Sequence, residues 1–229
     1  LCLRALLPAL PADHVGSARS VPVLLRRGPL LALFALMVLL VTAQFTTYSY
    51  IEPYVQGVAH QSERVTTLVL LLFGGMGVLG SLLFSWLGAR YPRGFLVAAI
   101  AGVAVCLLCL HSLAPRVGAL YALAAVWGVA MMGFGLSMQA KVLRLAPDAT
   151  DVAMALYSGL FNVGIGGGAL LGSQVSLHWG MGQIGWVGGG LAVVALAWAG
   201  FSMWRWAQAF SLPTGAAAAQ AQDQAKKAV

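Results

Sequence analysis

The chain has 229 residues, 60% of them hydrophobic and 8% charged, with a formal net charge of +7 and a mean hydropathy of +0.87. That composition excludes a soluble domain of this size. The positive charge does not point to nucleic acid, because such an interface needs a contiguous basic surface and these charges are scattered over short loops.

Leu1–Leu7 reads as the end of an earlier apolar helix, and Val15–Pro22 as a short linker containing Gly and Ser. No secretory signal with a cleavage site is recognisable, and the chain is expected to be a piece of something longer. Residues 1–29 are assigned to a loop segment, 30–206 to a membrane bundle and 207–229 to a low-complexity tail rich in Ala and Gln.

Six apolar blocks follow: Leu30–Ile51, Thr66–Leu87, Phe95–Leu113, Gly118–Ala140, Val152–Val175 and Ile184–Trp204. Each meets or approaches the roughly 20 residues that cross a bilayer. In hydrocarbon only helices and closed barrels satisfy the backbone, and continuous apolar runs lack the period-two alternation of barrel strands. The fold class is therefore all-α: a polytopic membrane protein with six transmembrane helices.

The first block carries Gln44, Thr46, Thr47, Tyr48, Ser49, Tyr50 and Glu52 and breaks at Pro53. Gln44, Tyr48 and Glu52 stand four apart and share one helical face. Gln44 lies about 21 Å from the start of the block, a little beyond the midplane. Gln44, Thr47 and Tyr48 are candidate ligand contacts. Glu52, near the surface, is a candidate proton carrier or a group that caps the kink.

The second block is marked by Gly74, Gly75, Gly77 and Gly80. The third is plain until His111 and Ser112, and its Cys106 and Cys109 sit among Leu and Val, where they read as small apolar packers. The fourth holds Gly128, Gly133, Gly135, Ser137 and Gln139. After it Lys141, Arg144, Asp148 and Asp151 crowd one loop, either as a charge-paired gate or as a solvated, pairwise-neutral turn. Asp151 falls in the first turn of the next helix, where the dipole favours a carboxylate.

The fifth block carries Ser158 and Asn162, the latter about 16 Å deep and close to the midplane. Gly164, Gly168 and Gly172 then repeat at four-residue spacing, a surface for close helix packing. The sixth block is plain again. Polar, glycine-rich, plain thus occurs twice, which predicts two three-helix units related as inverted repeats, the plain helices facing lipid.

Arg4, Arg19, Arg26, Arg27, Arg90, Arg93, Lys141, Arg144, Arg205, Lys226 and Lys227 fall on one set of alternating loops, and only Arg64 and Arg116 on the other. Eleven against two places both termini in the cytoplasm by the positive-inside tendency. Gln44, Thr47, Tyr48, Ser158 and Asn162 together suit a neutral, hydroxyl-rich ligand, since amides donate and accept at once and a tyrosine face covers apolar surface. The alternative is that Gln44 and Asn162 bond neighbouring helices.

Nothing catalytic assembles. His14, His60, His111 and His178 lie in loops or at block ends, and neither a serine-nucleophile nor a phosphate-loop motif occurs. The chain is expected to be no enzyme and to use neither a cofactor nor a metal.

Three stretches are more specific than this pattern. Thr42-Ala-Gln-Phe-Thr-Thr-Tyr-Ser-Tyr-Ile-Glu-Pro-Tyr54 resembles the first helix of the second half of bacterial sugar-efflux transporters of the major facilitator superfamily. Gln139–Met154 is similar to that group's loop between its tenth and eleventh helices, and Ser158–Gln174 to its eleventh helix. The resemblance runs from about Leu7 to Trp206 as helices seven to twelve, one half-bundle of that fold.

The superfamily's loop signature G-x-x-x-D-R-x-G-R has the counterpart Ser85-Trp-Leu-Gly-Ala-Arg-Tyr-Pro-Arg93. Ala89 stands where the aspartate would be, while Arg90 and Arg93 remain as candidates for a gate. The resemblance implies a proton-coupled exporter of sugars in the bacterial inner membrane, with the lipid bilayer, protons, a sugar and a missing N-terminal six-helix half (or a second copy) as partners. A drug–proton antiporter of the same superfamily is the closest rival reading. A non-transporting membrane scaffold is the more distant one.

Overall fold

The computed structural model describes residues 20–88, 90–207 and 210. Among them six helices are long and apolar enough to cross a membrane. We number these spanning helices α1 (Gly28–Tyr48), α2 (Glu63–Leu83), α3 (Pro92–Leu113), α4 (Val117–Leu145), α5 (Thr150–His178) and α6 (Ile184–Arg205). A π turn at Phe84–Gly88 continues α2. Most of the loop segment 1–29 and of the tail 207–229 lies outside the described residues, as do Cys2, His14, Lys226 and Lys227. A short helix at Ser20–Leu25 stands where the sequence pattern reads partly as linker.

The helix ends follow local chemistry. Pro29 and Pro92 stand in the first turns of α1 and α3, where no backbone N–H is needed. Pro53 cannot donate to the carbonyl four residues back and its ring crowds that group. α1 accordingly stops at Tyr48, turns through Ser49 and Tyr50, and resumes as Ile51–Pro53 and a π turn at Tyr54–Val58. The break thus falls a full turn before the proline.

The helices pack in the order α2, α4, α3, α6, α1, α5, each against the next. Exchanging α1, α2 and α3 for α4, α5 and α6 maps the α2–α4 contact onto α5–α1, α3–α4 onto α6–α1, and α3–α6 onto itself. Three spans per unit make the second unit enter from the opposite face, so the repeat is inverted.

Glycines let these pairs approach. A Cβ on Gly168 of α5 would lie 2.6 Å from the Thr42 carbonyl of α1, and one on Gly164 would lie 2.8 Å from Val41 Cβ. Gly172 faces the Thr46 carbonyl in the same way. The equivalent α2–α4 contact uses Gly80, whose Cβ would sit 2.6 Å from the Val129 carbonyl. Such backbone proximity is what small residues permit between membrane helices.

α3 and α6 differ from the expected lipid-facing pair. Gly185, Gly188, Gly189, Ala192, Ala195 and Ala199 of α6 are buried against α3 and α1, while Val193, Val194, Phe201 and Trp204 are exposed. The least buried spans are α2 and α5, with 17% of each apolar window buried, against 44% for α3 and 39% for α6. The reason is topological: α2 and α5 end the packing row. Exposed Trp86, Tyr91 and Trp204 mark one end of the bundle and Trp179 and Trp186 the other, the levels at which aromatic belts form.

Candidate functional site: a cavity between α2, α4 and α5

A cavity of about 390 Å³ opens between α2, α4 and α5. Its apolar wall includes Phe73, Met131, Met132 and Phe161, and its polar groups are Gln139, Tyr157, Ser158 and Asn162. Among the described residues no charged side chain lines it. At 1.5 Å per residue, Tyr157 to Asn162 lie about 11 to 18 Å from the start of α5, in the half of that helix nearer its start. Asn162 Nδ2 donates to the Ser158 carbonyl at 2.8 Å, which uses one of the amide's two donor hydrogens and leaves its oxygen as an acceptor. The Tyr157 hydroxyl is 3.5 Å from the Gly135 carbonyl, to which it donates.

The sequence-predicted ligand contacts divide. Ser158 and Asn162 line the cavity. Gln44 and Asn162 do not share it: Gln44 is 1% exposed and its Oε1 accepts a hydrogen bond from Trp127 Nε1. A buried amide must find a partner, and the indole of α4 supplies it. Tyr48 stacks on Phe73 with centroids 4.7 Å apart, and Trp127 meets Phe73 edge-on at 5.3 Å. Gln44 and Tyr48 therefore stand behind the aromatic wall and brace it. Thr47 is farther off, donating to the Ile184 carbonyl at 3.1 Å and so tying α1 to α6.

The sequence pattern did not single out Phe73, Trp127, Met131, Met132 and Tyr157, and it marked Gln139 only as a polar group of the fourth block, not as a ligand contact. Trp127 alone carries a usable signal: tryptophan is enriched at membrane interfaces, and this one lies mid-span and is 2% exposed.

Apart from Glu52, the charged candidates gather at the end of the bundle that also holds the starts of α1, α3 and α5. The ion-pair partner of Asp148 comes from outside the α4–α5 loop. Asp148 takes both guanidinium branches of Arg27, at 2.7 and 2.6 Å, and Arg27 also donates to the Leu145 carbonyl at 3.1 Å. Arg27 lies nearer because the chain entering α1 runs past the end of α4. These hydrogen bonds hold the Asp148 carboxyl down at about 2 and raise the guanidinium in turn.

Lys141 and Arg144 are in the last turns of α4 rather than in a loop. Lys141 is buried, donates to the Phe210 carbonyl at 3.4 Å and lies 5.7 Å from that ring's centroid. Arg93 donates to the Ala207 carbonyl. The start of the expected low-complexity tail is thus held against the bundle. Arg90 lies over the Tyr91 ring, Asp151 is exposed in the first turn of α5, and Ala89 lies outside the described residues.

At the other end Glu52 is exposed beside Pro53. Tyr54 is buried there, its hydroxyl 3.4 Å from His111 Nδ1, and burial pushes the phenol up to about 12. Cys106 and Cys109 are free thiols, with Cys106 Sγ 3.7 Å from the Leu123 carbonyl. Among the described residues no three His, Cys, Asp or Glu side chains converge as a metal site would require. A family model described as Major Facilitator Superfamily matches residues 11–226.

Proposed function

The chain belongs to the major facilitator superfamily, and on that premise we propose that it supplies one half of an exporter of neutral, hydroxyl-bearing small molecules such as sugars, driven by protons across the bacterial inner membrane. The family is one of secondary transporters, and six apolar spans make the chain a multi-pass membrane protein. One observation carries the substrate reading: among the described residues the cavity presents amides, hydroxyls and aromatic or thioether surface but no charge. A neutral ligand can hydrogen-bond to Gln139, Ser158 and Asn162 while its apolar faces lie on Phe73 and Phe161. A hydrophobic cation, the ligand of the rival antiporter reading, would find no carboxylate among the described lining residues.

Alternating access needs a second bundle against which this one rocks. A further six-helix half or a second copy fills that role, and α2 and α5 are the spans left least covered. The basic end, with Arg27, Arg90, Arg93, Lys141 and Arg144, is the cytoplasmic one. Glu52, Glu63, Asp148 and Asp151 all lie at the ends of the described spans, so the proton is carried by a group in the partner half. The test is uptake of a radiolabelled disaccharide into inverted membrane vesicles holding the complete protein. Uptake should depend on a pH gradient and fall in Asn162→Ala. Full uptake by Asn162→Ala, at equal protein level, would contradict the cavity assignment.

A further inference from the structure

Four glycines line the cavity, Gly74 and Gly77 on α2 and Gly128 and Gly135 on α4, and they are not equivalent. A Cβ on Gly77 would lie 3.1 Å from Met132 Cε, and one on Gly128 would run into the Phe73 carbonyl. These two are explained by the close approach of α2 and α4. A Cβ on Gly74 or on Gly135 would meet no heavy atom within 4 Å. Packing within the chain gives no reason for either glycine, and each costs a helix interior about 1 kcal/mol relative to alanine. The space that a side chain would occupy at these two positions is the cavity's own.

We propose that Gly74 and Gly135 set the size of ligand that this cavity admits, an inference that rests on reading the cavity as a substrate site. Side chains of any bulk there would enter a volume of about 390 Å³, from α2 on one wall and from α4 on another. Small ligands would still fit beside them and larger ones would not. Gly190 on α6 is the natural control, because a Cβ there also meets nothing within 4 Å and the residue is outside the cavity.

The experiment has two arms in the complete protein. The first measures transport of radiolabelled glucose, lactose and raffinose, one, two and three rings in size, by Gly74→Leu, Gly135→Leu and Gly190→Leu. Glucose should stay within about twofold of the unsubstituted protein in the first two variants while raffinose falls about tenfold or more. Gly190→Leu should move all three sugars normally. Unchanged raffinose transport in Gly74→Leu and Gly135→Leu overturns the proposal, and so does an equal loss of all three sugars, which would mark these glycines as packing residues.

The second arm needs no substrate. Asn162→Cys is introduced after Cys2→Ser, Cys106→Ser and Cys109→Ser, and its alkylation by N-ethylmaleimide and by the bulkier fluorescein maleimide is timed. Both reagents should react, and adding Gly74→Leu or Gly135→Leu should slow only the bulky one, by about tenfold or more. Equal rates for the two reagents, or loss of both, overturn the proposal. If the unsubstituted protein moves none of the sugars, the sugar reading fails and the thiol arm alone decides the role of the glycines.

Discussion

At the scale of single residues, what matters most is where the polar side chains of α1 point. The sequence places Gln44, Thr47 and Tyr48 at the right depth and largely on one face, but depth and face do not say whether a neighbour takes the hydrogen bond first. Trp127 does so for Gln44 and the Ile184 carbonyl for Thr47. Both are more than 80 residues away in sequence, at separations of 83 and 137, which no local pattern reveals. Ser158 and Asn162 instead line the cavity, with Asn162 bonded to the Ser158 carbonyl of its own helix. The Gln44–Trp127 bond gives a clear prediction. Trp127→Phe leaves a buried amide oxygen unpaired, which costs about 1–3 kcal/mol. Adding Gln44→Met removes the orphan as well, and replacing both partners is nearly neutral by the same principle. Thermal unfolding in detergent should therefore show a clear loss in Trp127→Phe and recovery of most of it in the double variant.

At the scale of the helices, the six blocks and the two-unit order were readable because hydrocarbon imposes length and composition on every span. The packing order was not. It depends on which glycines meet a backbone, and sequence shows only that glycines are present. Gly164, Gly168 and Gly172 turn toward α1, whereas Gly166 of the same helix has open space at its Cβ position. Substitution should separate the two kinds. Gly168→Val drives a branched side chain into the Thr42 carbonyl and Phe45 and should abolish the stably folded protein, read as loss of a monodisperse peak in size-exclusion chromatography. Gly166→Ala should leave that peak intact and raise helix stability by up to about 1 kcal/mol. The exchange of expected roles between α2 and α3, and between α5 and α6, has the same origin: glycine and alanine serve a buried face in α6 as readily as a bare one in α5.

At the scale of the whole molecule, the charged end and the uncharged cavity divide the work. Arg27 and Asp148 join the chain entering α1 to the loop between α4 and α5. The carboxyl is depressed to about 2, below the ordinary carboxylate value of about 4, so the bridge contributes fully above that ordinary value and is lost as pH falls through about 2. It does not titrate near neutrality. Asp148→Asn should therefore lower the unfolding temperature by the same amount throughout pH 5 to 8, a cost of no more than about 1 kcal/mol for a pair this exposed, and high salt should shrink the difference. In the proposed transport cycle this pair does not carry the proton, and the chain's contribution is the cavity, which no charged side chain lines among the described residues. The most direct measurement is solute-driven proton movement by the complete protein in proteoliposomes, comparing lactose with tetraphenylphosphonium. Lactose should move protons, tetraphenylphosphonium should not, and Asn162→Ala should weaken the lactose signal. Proton movement driven by the cation and not by lactose would contradict the account.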